Sequence, residues 1–166
     1  MNKEKILKAY FDNSSRRANG TERINTIIID LLNKYGCNVI QTTMGTDITY
    51  SDNVGDKASI NIYLAKRNDN RVADILVYEV SEMSVINWYM IFEAIQNRKP
   101  VLILFRRKTL SQTEIQFLET VSEYIYPREY AEEDLDTIIS EFIRSSKRKI
   151  PSSRFTVRLS DDLNSL

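Results

Sequence analysis

Strand-length apolar runs alternating with segments of helical period predict an α/β fold, a three-layer sandwich with a five-stranded parallel sheet. Ile75, Leu76, Val77 and Val80, and then Val101 to Phe105, make almost continuous apolar runs. Strands buried on both faces by helices read this way. Between the two runs lies a polar turn, Glu79-Val80-Ser81-Glu82-Met83-Ser84, and then a helical segment. The turn falls at the carboxyl end of a strand, where open α/β sheets hold ligands.

The elements follow in order. Ile6 to Phe11 predicts the first strand, ending in the polar loop Asp12-Asn13-Ser14-Ser15-Arg16-Arg17. Thr21 can cap a helix to about Tyr35, with Ile24, Ile27, Ile28, Leu31 and Leu32 inward and Gly36 ending it. Cys37 to Thr42 is the second strand. Met44 to Asn53 has no period and reads as a loop over the crevice, before a helix around Ala58 to Arg67. Ser84 or Asn87 starts the next helix, which runs to about Asn97, and Lys99-Pro100 leads into the fourth strand. A helix from about Ser111 to Ser122, a short strand Tyr124 to Tyr126, and an amphipathic helix Glu132 to Arg144 complete the series. The alternation points to a flavodoxin-like or Rossmann-like sandwich.

Composition narrows the chemistry. The chain has 166 residues, 42% of them hydrophobic, with four Gly and three Pro, enough for one domain and a short appendage. One cysteine, Cys37, leaves no internal disulfide and reads as a small buried hydrophobe. With no histidine, the usual zinc sites and imidazole triads are absent, so catalysis would fall to carboxylates, hydroxyls, Tyr or Lys. No cofactor and no metal are expected. The start is too short in apolar residues for a signal peptide, and no 18-residue apolar run exists, so the expectation is a cytoplasmic protein without a membrane span.

Charge divides the chain into residues 1–144, a single domain, and 145–166, a basic extension. From Arg144 onward six cations face two acids, a net +4 that leaves −4 for residues 1–143 of a neutral chain. Arg154 to Leu163 alternates apolar and polar residues before a serine and two acids. It resembles the opening of a ribbon-helix-helix motif, which implies DNA contact through Thr156 and Arg158. The plainer alternative is an extension that packs on its own domain or on a second copy.

Several side chains carry two readings. Ser81 and Ser84 can cap a helix or bind phosphate, and both can hold at once. Arg16 and Arg17 suit an anion or a solvated surface. Trp88, Met90 and Phe92 suit packing or a platform for a base.

The turn Glu79-Val80-Ser81 with Ser84, the helix, and Lys99-Pro100-Val101 resemble the nucleoside 2-deoxyribosyltransferase superfamily, and most its nucleoside 5′-monophosphate N-glycosidase branch. The likeness spans roughly residues 5–143. Ser14, Ser15, Arg16 and Arg17 resemble that branch's phosphate-contacting loop, and Ala73-Asp74 matches its usual pair before the third strand. Leu110-Ser111 resembles a segment reaching the phosphate of a neighbouring subunit, which implies a homodimer. The resemblance thus implies a nucleoside or nucleotide ligand held by Ser14, Ser15, Arg16, Arg17, Ser81, Ser84 and Ser111.

Breaking an N-glycosidic bond develops oxocarbenium character, which calls for one carboxylate at the anomeric carbon and an acid for the departing base. Matched to the family, the nucleophilic Glu falls at Met90 and the Asp near Lys66. Met90 is expected to project into the pocket, and the reading is loss of the reaction. Glu93 is the candidate rescue nucleophile, about 60° around the helix and about 4.5 Å along it from Met90. Asp69 or Asp56 could stand in for the missing Asp. A second resemblance, to bacterial TIR domains, rests on Ser84, Trp88 and Glu93 and implies an interaction module.

Overall fold

The computed structural model describes residues 6–13, 21–41, 57–81 and 85–150. Five strands and five helices alternate: β1 (Leu7–Asn13), α1 (Thr21–Lys34), β2 (Cys37–Ile40), α2 (Lys57–Val72), β3 (Ile75–Glu79), α3 (Val85–Gln96), β4 (Val101–Phe105), α4 (Gln112–Val121), β5 (Ile125–Glu129) and α5 (Leu135–Lys149). A short 3-10 turn at Glu132–Asp134 precedes α5.

All four strand pairs are parallel, in the order β2-β1-β3-β4-β5. This is the flavodoxin-like order, and it reverses between β1 and β3. Side chains alternate across the sheet, so two cores form. Leu7, Ala9, Phe11, Ile75, Val77, Leu102 and Leu104 pack against α1 and α5. Tyr10, Leu76, Tyr78, Val101, Ile103 and Phe105 pack against the other layer, which holds α2, α3 and α4. β3 and β4 are buried throughout, as their unbroken apolar runs require.

Element ends differ from the sequence expectation where distant partners intervene. β1 continues through Asp12 and Asn13, both buried, because each finds a partner on a helix; they are strand residues and not the start of a loop. β2 stops at Ile40, with Gln41 already outside the strand; Thr42 lies outside the described residues. α2 runs on to Val72, five residues past Arg67. Its last turn is held from far along the chain: the Lys99 ammonium donates to the carbonyls of Asn70, Arg71 and Ala73 at 2.6–2.8 Å. A cation bonded to terminal carbonyls satisfies the groups a helix end leaves over. α1 spans Thr21–Lys34, and Gly36 ends it at φ +78 as expected. β5 lies at Ile125–Glu129, later than Tyr124 to Tyr126. α5 runs through Lys149 and not only Arg144; Ser146 and Ile150 are buried, and Lys149 lies about equally over the Tyr124 and Tyr126 rings.

Ser14, Ser15, Arg16, Arg17, the 44–53 loop, Asp56, Glu82, Ser84 and the segment 151–166 lie outside the described residues. Among those described, no helix is long and apolar enough to cross a membrane.

Lys99→Met keeps most of the stem but strands three carbonyls, and it should destabilise the fold by about 2–4 kcal/mol in denaturant unfolding. A loss below about 0.5 kcal/mol would remove the cap from this account.

Candidate ligand crevice

A parallel sheet opens a crevice where its strand order reverses, outside the carboxyl ends of the strands that flank the reversal. Here those strands are β1 and β3, and their last paired residues are Asn13 and Glu79. Both are buried, as is Asp12 beside them. Polar side chains sealed from water need partners, and the partners define two clusters, one on each face of the sheet.

Asp12 shares a face with Tyr10, the side of α2 and α3. The Lys66 ammonium of α2 donates to its carboxylate at 2.7 Å, and the two side chains are only 5% and 3% exposed. Beneath the pair, Asn70 donates to the Tyr78 hydroxyl at 2.7 Å, and the Tyr78 and Tyr10 rings meet edge to face. Burial, reinforced by the charges of Tyr10 and Asp12, holds the Tyr78 phenol well above its ordinary range, so it stays neutral.

Glu79 shares a face with Val77, the side of α1 and α5. The Tyr130 hydroxyl donates to Glu79 Oε1 at 3.0 Å, and the Ser81 hydroxyl donates to the same oxygen. Arg106 in turn donates to the Tyr130 oxygen at 3.3 Å. Burial pushes the Tyr130 phenol up to about 12, so it stays protonated at neutral pH and serves as a hydrogen-bond donor to Glu79. Asn13 on this face donates its Nδ2 to Asn25 Oδ1 of α1. Because alternate residues face opposite ways, the Asp12 and Glu79 carboxylates do not converge on one pocket. A general acid–base pair across a single substrate is not built from them.

The residues expected at the reacting centre sit elsewhere. Met90 is fully enclosed in the core with Tyr78, Val80 and Ile91, and it does not project into a pocket as expected. Glu93 lies eight residues into α3 from Val85, about 12 Å from the crevice end of the helix. Its carboxylate is held by Arg67 at 2.9 and 3.2 Å and by Arg71 at 3.1 and 3.3 Å. A carboxylate gripped by two guanidinium groups is a weak nucleophile. Asp69 lies on α2 a turn beyond Lys66, toward the amino end of β3.

Ser81 lies at the crevice with its hydroxyl on Glu79. Ser111 is the N-cap of α4: its hydroxyl accepts from the Glu114 amide, and the Glu114 carboxylate reaches back to the Ser111 amide and hydroxyl, each at 2.7 Å. This capping box already supplies an anion to the α4 terminus. Sequence reasoning passed over Asp12, Asn13, Tyr130 and Arg106 as site residues. Each was visible only as a polar group flanking a strand; their partners lie 12 to 54 residues away.

No family model matches the chain, and no curated protein matches it. Among solved structures it is similar to the CMP N-glycosidase BcmB of Clostridium botulinum, with 16% identity, a TM-score of 0.55, and coverage of 80% of this chain and 98% of that one. A conserved protein from Enterococcus faecalis V583 is similar at 16% identity and a TM-score of 0.54, covering 82% of this chain and 99% of that one. The flavoenzyme NAD(P)H:(acceptor) oxidoreductase FerB of Paracoccus denitrificans has a TM-score of 0.53 at 12% identity, over 87% of this chain and 99% of that one. At these identities the likeness establishes the Rossmann-type fold, and a glycosidase and an oxidoreductase both use it.

Lys66→Met leaves the Asp12 carboxylate buried without its counter-ion and should cost about 3–5 kcal/mol at neutral pH. Adding Asp12→Asn should recover most of that loss, and chemical denaturation of the four proteins measures the coupling. Independent, additive losses would show that the pair is not a unit.

Proposed function

We propose that this protein binds a nucleoside or nucleotide in the β1–β3 crevice, as a cytoplasmic homodimer of the nucleoside 2-deoxyribosyltransferase-like superfamily that no longer cleaves the N-glycosidic bond. The observation that carries the reading is the Lys66–Asp12 pair. At the place where the resemblance calls for an acid, this chain has a cation, and a buried carboxylate of β1 holds it. Positive charge developing on a sugar would meet an ammonium there and not a free carboxylate. Met90 supplies no nucleophile, and Glu93 could reach the crevice only by giving up both arginines.

Support for the ligand class comes from the fold shared with a CMP N-glycosidase and from Asn13, Glu79 and Ser81 at the switch point. In this reading Ser14, Ser15, Arg16, Arg17 and Ser84 complete the binding loops. The single thiol, Cys37, is buried and pushed up to about 11 by desolvation, which keeps it unreactive and suits a reducing compartment.

Contact of the basic extension with DNA is a separate proposal. Lys147, Arg148 and Lys149 in the last turn of α5 lead directly into it.

Incubation with a panel of nucleosides and nucleoside monophosphates should give binding heat by calorimetry and no free base by chromatography. Base release that Glu93→Gln abolishes would contradict the reading. Duplex DNA affinity should fall with added salt and vanish when the chain is cut after Ile150, a site chosen because Ser146 and Ile150 belong to the core. Salt-independent binding, or none, would end that proposal.

A further inference from the structure

The hydrogen bonds that end on Glu79 have a fixed direction. Arginine carries N–H donors and no acceptor, so Arg106 can only donate to the Tyr130 oxygen, as it does at 3.3 Å. Tyr130 has one proton, which burial keeps on its oxygen and which is directed to Glu79 Oε1 at 3.0 Å. The Ser81 hydroxyl directs its single proton to the same oxygen. From both ends the chain of donors runs toward the carboxylate.

The backbone holds this order in place. The Tyr130 amide donates to the Phe105 carbonyl at 3.0 Å, which sets the phenol across the end of β4. The Val80 amide donates to the Leu104 carbonyl at 2.8 Å, which keeps the chain extended beyond β3 and turns Ser81 to the same face as Glu79. Glu79 is completely buried, whereas Ser81 is half-buried at the crevice.

A hydroxyl whose proton is committed presents only lone pairs to whatever approaches it. A phosphate oxygen is an acceptor too, and the Glu79 carboxylate behind Ser81 would repel its charge. A sugar hydroxyl has the opposite character, because it brings a proton to donate. In dinucleotide-binding α/β sheets an acidic side chain takes the ribose hydroxyl in this way.

We infer that Ser81, oriented by Glu79, is the acceptor for a ribose hydroxyl of the ligand and not a contact to its phosphate. The inference rests on the nucleoside or nucleotide proposed for the crevice, and it names the part of that ligand which meets Ser81. Tyr130 and Arg106 are positioning residues, since they reach the ligand only through Glu79 and Ser81.

Calorimetry of the full chain tests this with the ribonucleoside monophosphates, and then with the 2′-deoxy, 3′-deoxy, 2′-fluoro and 3′-fluoro forms of the tightest binder. Loss of the hydroxyl that meets Ser81 should weaken binding about tenfold or more, and fluorine at the same carbon, which cannot donate, should weaken it as much. Ser81→Ala should shrink this discrimination to about twofold, and it should weaken the nucleoside and its monophosphate by the same factor. Tyr130→Phe should also narrow the discrimination, although it removes no contact to the ligand. The wild-type series is decisive even where a variant fails to fold. Indifference to both hydroxyls, a fluoro sugar bound as tightly as its parent, or a Ser81→Ala loss confined to the phosphate would overturn the inference and leave the ligand reading standing. If no ribonucleoside monophosphate binds, both fall.

Discussion

The ion pair between Lys66 and Asp12 governs how the rest of the molecule is put together at the carboxyl edge of its sheet. It ties the carboxyl end of β1 to the middle of α2, two elements with 43 residues between the end of one and the start of the other. A cation and a carboxylate this deep are stable only together; either alone would be an uncompensated buried charge. The pair therefore fixes the height of α2 against the sheet, and with it the Asn70–Tyr78 hydrogen bond and the carbonyls that Lys99 caps. In the proposed function, this pair is also what keeps the Lys66 position from serving as an acid.

The two layers of helices divide the remaining work. On the α1–α5 side, the Arg106–Tyr130–Glu79 chain and the Asn13–Asn25 contact satisfy the polar end of the switch point beneath a charged outer surface. On the α2–α3–α4 side, polar groups are satisfied inwardly and the outer surface is aromatic. Glu93 belongs to this second layer as a clamp between α2 and α3. Its single negative charge offsets only one of the two arginines it joins, so the cluster keeps a net positive charge beside the aromatic side chains.

The sheet was legible in the sequence because burial on both faces writes itself as uninterrupted apolar runs, as in β3 and β4. Gly36 and the start of α4 near Ser111 were legible because turn and cap chemistry is local, whereas the capping box that Ser111 forms with Glu114 was not read. What sequence could not show was pairing at a distance. α2 outlasts its apolar period because Lys99 closes it from the α3–β4 connection, and β1 keeps Asp12 because α2 delivers a counter-ion. Met90 illustrates the same limit. Alignment with a family motif placed it at the reacting centre, while the helix rotation that buries it depends on how α3 packs.

The central claim is that the crevice holds an intact ligand it cannot cut. Amide spectra of isotope-labelled protein, recorded while a nucleoside monophosphate is added, test it most directly because ligand and protein are watched together. The account predicts that the amides of Asn13, Glu79 and Ser81 shift while the anomeric proton signal of the ligand persists unchanged in intensity. Steady loss of that anomeric signal, or shifts confined to residues away from the β1–β3 switch point, would contradict it.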